Sequence, residues 1–209
     1  METIIISLGG SLIIPEEIDV DFLKDFKKLI LSQVEKGKRF FIVVGGGKIC
    51  RKYQAVAKEL SNPTPVDLDM IGIKALNLNA ELVRILFKES KNVGVYGAEN
   101  PGNSTDFVAV SLAKKNNTKK VINLSNTDYV YDSDPKMNPN AKKFEQISWP
   151  EYRAIIPKEW NPGLNSPFDP VASEMAQKEG MEVIIMNGKP IGNLANYLNG
   201  EKFQGTVIK

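Results

Sequence analysis

Apolar and polar positions change period repeatedly along this chain. Residues 3–7 form a β-branched run ending at Gly9-Gly10, the pattern of a buried strand feeding a tight turn. From a cap at Asp19 or Asp21, Phe22, Phe26, Leu29, Ile30 and Val34 recur at helical spacing until Gly37 closes the element. Residues 40–44 predict a second buried strand, which again runs into glycines, Gly45-Gly46-Gly47. A helix follows through Lys58, with Tyr53, Val56 and Leu60 expected on its inner face.

Pro63 and Pro65 are expected to break the chain before a long helix from about Asp69 to Lys88, with Ile73, Leu76, Ala80, Val83 and Phe87 in phase. A strand at 93–96, a turn-rich stretch at 97–103, a helix at 104–115 and a strand at 120–124 come next. Residues 125–145 lack periodicity and read as a long functional loop or a small hairpin. Ser148 and Glu151 have capping-box spacing, and 161–167 predict a second irregular loop. A helix at 169–179, a strand at 182–186, a short helix near Leu194 and a strand at 206–208 complete the reading. Strands alternating with helices predict an α/β fold, a mostly parallel sheet covered on both faces. In such sheets ligands sit at the C-terminal ends of strands, which is where the glycine clusters fall.

Composition narrows the chemistry. The 209 residues suit one domain, or one with a small lobe. A formal net charge of +2 gives no reason to expect nucleic acid or an acidic membrane as partner. No apolar run approaches a membrane span, the short apolar start lacks the basic leader of a signal peptide, and the lone Cys50 fits a reducing compartment, so a cytoplasmic protein is expected. Histidine is absent, which removes every mechanism that needs an imidazole of this chain. Chemistry by Lys, Arg, Asp, backbone amides and Mg²⁺ remains.

Two glycine turns, Gly9-Gly10-Ser11 and Gly45-Gly46-Gly47-Lys48, follow the first two strands. Each alone is either a tight turn or a place where backbone N–H groups approach a phosphate. Two at equivalent strand ends, one continuing into Lys48, Arg51 and Lys52, favour anion binding. Neither matches GxxxxGK[ST] or GxGxxG. Arg51 is either a two-pronged phosphate ligand or a solvated surface residue. Ser104, Thr105 and Asp106 offer ligand contacts, or simply a helix cap and a first-turn acid. Asn126, Asp128, Tyr131 and Asp134 surround a nucleotide, or form a polar hairpin.

In order and spacing, six segments resemble the amino-acid kinase superfamily, and within it the UMP kinases: ISLGGSL (6–12), VVGGGKICRKY (43–53), DMIGIKALNLNAEL (69–82), PGNSTD (101–106), NLSNTDYVYDSDP (123–135) and FDPVAS (168–173). The resemblance implies a three-layer α/β/α sandwich in one domain, with an acceptor-binding part at about 1–115 and an ATP-binding part at about 116–209. It implies direct in-line transfer from ATP·Mg²⁺ to UMP. Gly9, Gly10, Lys48 and Asn126 become the expected catalytic set. Gly46, Gly47, Arg51, Asp69, Ser104 and Thr105 would bind the acceptor, and Asn126, Asp128, Tyr131, Asp134 and Asp169 would surround ATP, with the metal ligands unassigned. A homo-oligomer, as large as a hexamer, is also implied.

The chain departs from the family pattern at several points. Ser7 and Glu174 stand where lysines are common, Tyr129 replaces a glycine, and the stretch from Glu89 to Gly97 is brief, with Ala98 and Glu99 following. These departures keep open two other readings: a nucleotide-binding module without transfer, and a kinase for another small acceptor.

Overall fold

The computed structural model describes residues 1–99, 101–135, 137–159 and 166–209. Strand β1 (Glu2–Leu8) enters a single helical turn, α1 (Gly10–Ile13), followed by α2 (Val20–Glu35), whose cap Asp19 accepts a hydrogen bond from Phe22 N. Then come β2 (Lys38–Val44), α3 (Gly47–Leu60), α4 (Pro65–Leu86), β3 (Val93–Tyr96) and α5 (Thr105–Lys115). The second half runs through β4 (Lys120–Ser125), β5 (Val130–Tyr131), β6 (Lys143–Phe144), β7 (Gln146–Ile147) and α6 (Trp149–Ile155). It ends with α7 (Pro170–Lys178), β8 (Glu182–Asn187), α8 (Ile191–Leu198) and β9 (Thr206–Ile208).

The main sheet has the order β3-β2-β1-β4-β8-β9-β7, parallel except where β8 meets β9. Alternation along β1 sends its side chains to opposite layers. Ile4, Ile6 and Leu8 join Phe26, Ile30, Ala80, Val83, Leu194 and Leu198, the inward faces of α2, α4 and α8. Ile5 joins Ala109, Val110, Trp149, Tyr152, Ala172 and Ala176, contributed by α5, α6 and α7. Each fully buried aliphatic or aromatic side chain contributes about 1.5–3 kcal/mol, so two continuous layers hold the sandwich together. The chain passes from β1 to β2 and β3 on one side, and places β4 and β8 on the other. The crevice above β1 and β4 is therefore the topological switch point at which α/β folds bind ligands.

Two sequence expectations need correction. Tyr53, Val56 and Leu60 do not face inward: they are 62%, 52% and 79% exposed, and no residue of α3 is buried. Their spacing marks one helical face, but α3 lies outside the two core layers. Pro65 does not break the chain; it is the first residue of α4, where a missing N–H costs nothing, behind a capping box of Thr64 and Asp67. The turn α1 and strand β7 were not foreseen. The stretch 125–145 does contain a hairpin, β5 paired antiparallel with β6. The irregular loop expected at 161–167 lies, for 161–165, outside the described residues. Among the described residues, no helix is long and apolar enough to cross a membrane.

Candidate active site

The two glycine turns meet backbone to backbone. Gly9 N donates to Leu124 O at 2.8 Å, stitching the end of β1 to β4. A Cβ on Gly10 would lie 2.2 Å from Gly45 O and 2.5 Å from Gly47 N. Gly47 has φ +64°, and a Cβ there would lie 2.4 Å from Gly10 C. Only glycine fits either side of this contact. Helix α3 rises directly from it. Its first N–H groups have no intrahelical partners, and its N-cap Gly46 has no side chain to satisfy them. Helices α2, α4, α5, α6 and α7, by contrast, are capped by Asp19, Thr64, Ser104, Ser148 and Asp169. The turn therefore presents free donors and the positive end of a helix dipole, a suitable place for an anion.

Cations surround this concavity. Arg51 Nη2 donates to Ser11 Oγ at 3.4 Å, which brings the guanidinium across to the first glycine turn. Lys48 and Lys52 instead both reach Glu16, at 2.6 and 2.9 Å. The Lys48 hydrogen bond, then that of Lys52, lowers the Glu16 pKa to about 2. These side chains are exposed, so water screens the pairs, and they orient the lysines more than they stabilise the fold.

Helix α4 braces the surrounding backbone. Asp69 accepts from Gly102 N at 2.7 Å, and Asn77 Nδ2 donates to Ala98 O at 2.9 Å. A Cβ on Gly97 would fall 1.8 Å from Asn77 Oδ1, so any larger residue there would have to displace the Asn77 amide from its bond to Ala98 O. Asn79 Nδ2 reaches Gly45 O at 3.0 Å and Gly46 O at 3.3 Å. The Cys50 thiol is half-buried beneath the turn, and burial pushes its pKa up.

Helices α5 and α7 begin at the same sheet edge and are tied together. Ser104 caps α5 by accepting from Phe107 N at 3.0 Å, and its hydroxyl donates to Asp169. Asp169 caps α7, accepting from Val171 N and Ala172 N at 2.7 and 2.8 Å. The Asp106 carboxyl turns inward, taking bonds from Ser7 Oγ at 3.0 Å, Asn123 Nδ2 at 2.9 Å and Asp169 N at 3.2 Å. Burial first, and then the neighbouring Asp169 charge, push the Asp106 pKa up to about 7. The same burial raises that of Asp169. Ser7 is thus a neutral donor to a carboxyl that a lysine in its place would neutralise. Glu174 points away, pairing with Arg153 at 3.2 Å on the outer surface of α6 and α7.

Past the end of β4, Asn126 and Asp128 are exposed, and Asp128 accepts from Asn187 Nδ2 at 2.8 Å. Tyr131 lies in β5, edge to face with Tyr129 at 6.4 Å, and Lys143 sits 4.4 Å above the Tyr129 ring. Asp134 is exposed in the β5–β6 connection. The hairpin is anchored to β9 through Val130 N, which donates to Thr206 Oγ1 at 2.8 Å.

The fold therefore assembles Gly9, Gly10, Gly46, Gly47 and Arg51 into one concavity, with Asp69 and the 101–105 segment braced beside it. Thr105 starts α5, and Ser104 and Asp169 are helix caps joined to each other. Lys48 points its ammonium to Glu16. Sequence reasoning missed Glu16, Asn79 and the inward turn of Asp106. Asn79 alone carried a signal, a polar residue in phase with Leu76, Ala80 and Val83.

A sequence profile of the amino acid kinase family matches residues 2–100 and 77–187. The chain belongs to the amino acid kinase family. Among its relatives, uridylate kinase of Thermoplasma acidophilum is 34% identical over 225 aligned residues, spanning 99% of this chain and 96% of that protein. That of Pyrococcus abyssi is 32% identical, spanning 99% of both. The crystal structure of uridylate kinase from Archaeoglobus fulgidus, 31% identical, superposes with a TM-score of 0.79 over 100% of both chains. The UMP kinase structure from Bacillus anthracis, at 20% identity and a TM-score of 0.82, shares the fold over 100% of this chain and 96% of its own. The resemblance to UMP kinases and the three-layer α/β/α architecture both hold.

Proposed function

We propose that this amino acid kinase family member transfers the γ-phosphoryl group of ATP to UMP, giving ADP and UDP. The observation that carries the reading is the backbone-to-backbone contact of the two glycine turns beneath the uncapped start of α3, with Arg51 drawn over it. Full-length similarity to proteins named uridylate kinase supports the acceptor.

In this reading Gly9, Gly10, Gly46 and Gly47 line the phosphates with N–H groups, while Lys48 and Asn126 flank the transferring group. Arg51 grips the UMP phosphate, and Asp69, Ser104 and Thr105 complete the acceptor site. Asn126, Asp128, Tyr131, Asp134 and Asp169 lie toward ATP. Phosphoryl transfer asks mainly for positioning and charge neutralisation, which a chain without histidine can supply. Among the described residues no three carboxylates stand ready to enclose a metal. Mg²⁺ is normally held by one or two carboxylates together with substrate phosphates, and the exposed Asp128 fits that mode. Bound there with ATP, Mg²⁺ would neutralise phosphate charge.

The outward turn of Glu174 supports transfer over mere binding, since its charge is kept off the phosphates by distance and by Arg153. A homo-oligomer, up to a hexamer, belongs to the same reading: the exposed Tyr53, Val56 and Leu60 give α3 an apolar stripe that a second copy would cover. A cytoplasmic setting agrees with the single free cysteine. The test is phosphoryl transfer from ATP·Mg²⁺ across UMP, CMP, AMP, isopentenyl phosphate and acetylglutamate. Selective UDP formation is expected; UMP and ATP binding to a folded protein without transfer to any acceptor would overturn the reading.

A further inference from the structure

Asn79 is a primary amide inside an otherwise apolar helix face. It is 2% exposed, between Leu76 and Val83, which pack into the interior. Burying such a group without partners is costly, so the amide must be answered by hydrogen bonds. Its partners are the carbonyls of Gly45 and Gly46, more than thirty positions earlier in the chain.

We propose that Asn79 is a positioning residue for the phosphate cradle: its amide sets the direction in which the N–H groups of the glycine triplet point. A trans peptide is planar, with its C=O and N–H directed oppositely. The Gly45 carbonyl shares a peptide plane with the Gly46 N–H, and the Gly46 carbonyl shares one with the Gly47 N–H. Holding both carbonyls toward α4 turns both N–H groups away from the amide, and Gly47 N then lies beside Gly10, 2.5 Å from where a Cβ on that residue would fall. The triplet does not fix this orientation by itself. Glycine rotates freely between positive and negative φ, and Gly47 adopts +64°. The other restraint, Gly45 N donating to Leu8 O at 2.9 Å, ends one residue before the planes that matter.

The proposal rests on the acceptor-phosphate reading above, and the experiment separates the two. UMP binding is measured by calorimetry, and the KM values for UMP and ATP by steady-state assay, for wild type, N79A and the isosteric N79D. Both variants are expected to raise the UMP Kd and KM about tenfold or more, the loss of one or two hydrogen bonds, with the ATP KM changed less than about twofold. A carboxyl facing two carbonyls titrates high, and once protonated it becomes a donor again. N79D should therefore regain at least about threefold in UMP affinity between pH 8 and pH 6 relative to wild type, while N79A does not. Equal changes in both KM values, an altered melting temperature with unchanged UMP affinity, or loss of folding in both variants would mark Asn79 as a merely structural amide and overturn the proposal. Wild-type protein that binds neither UMP nor inorganic pyrophosphate would overturn the acceptor reading itself, and this role with it.

Discussion

The two halves of the crevice are built from different materials. On the side proposed for the acceptor the surface is main chain: two glycine turns in contact, an uncapped helix start, and the Asp69, Asn77 and Asn79 side chains bracing loops from behind. On the side proposed for ATP it is side chain: exposed Asn126, Asp128 and Asp134, and Tyr131 on a two-stranded hairpin anchored at β9. A backbone surface admits almost no substitution but responds to remote braces. A side-chain surface can be altered residue by residue, with losses confined to one ligand.

The contrast is broken most severely at Gly10. A methyl group there meets backbone on both sides, so neither neighbour can yield. G10A should lose UMP and ATP turnover together, by about 10³-fold, with a melting temperature lowered by overpacking. A variant retaining a tenth of wild-type activity would show that the turns are not in contact. Arg51 tests the acceptor side alone. R51A should raise the UMP KM about 10- to 100-fold, the worth of a charge-assisted hydrogen bond, and leave the ATP KM within about twofold. Equal loss of both would place Arg51 outside the acceptor site. Tyr131 tests the other side, where Y131A should raise the ATP KM about tenfold, the scale of a stacking contact, with UMP unaffected.

A smaller effect concerns the joint between the halves. Asp106 titrates near 7 in the folded chain, against 3.8 ordinarily, so between those values the folded form binds more protons than the unfolded one. Stability from this group is therefore greatest in acid and falls as pH rises from about 4 to about 7. Thermal melts at pH 5 and pH 7.5 should show that fall in wild type and a flatter profile in D106N. A parallel pair of profiles would mean that Asp106 is solvated and ordinary. The smallest effect is expected at Glu174, which faces Arg153 rather than the crevice. E174K should change turnover less than about twofold, since exposed pairs contribute under about 1 kcal/mol. A clear gain in turnover would place that position beside ATP instead.

What was legible in the sequence follows the same division. The β-branched runs and their glycine endings are local signals, and they located β1, β2 and both turns. Helix caps are local too, and Ser148 with Glu151 forms the expected capping box. The face of α3 was misread because Tyr53, Val56 and Leu60 have the spacing of a core stripe, and spacing cannot say which layer a helix joins. Asp106 looked like a first-turn acid open to ligands; only the register that sets Ser7 beside Asn123 reveals what it meets. Glu16 carried no signal at all, since its pairing with Lys48 and Lys52 crosses more than thirty residues between two surface segments.

The contact of Gly10 with Gly45 and Gly47 also acts as a gauge of strand alignment. The pairing of β1 with β2 sets Leu8 opposite Val44, so the residues that follow on each strand are the glycines. Parallel runs of Ile and Val offer little else to distinguish one alignment from another, because sliding by two residues keeps every side chain on its own face. Such a slide would bring a branched side chain against main chain where no Cβ can fit. The geometry that receives a phosphate thus penalises misaligned pairing of these strands, and a chain that has folded out of step has no cradle to offer.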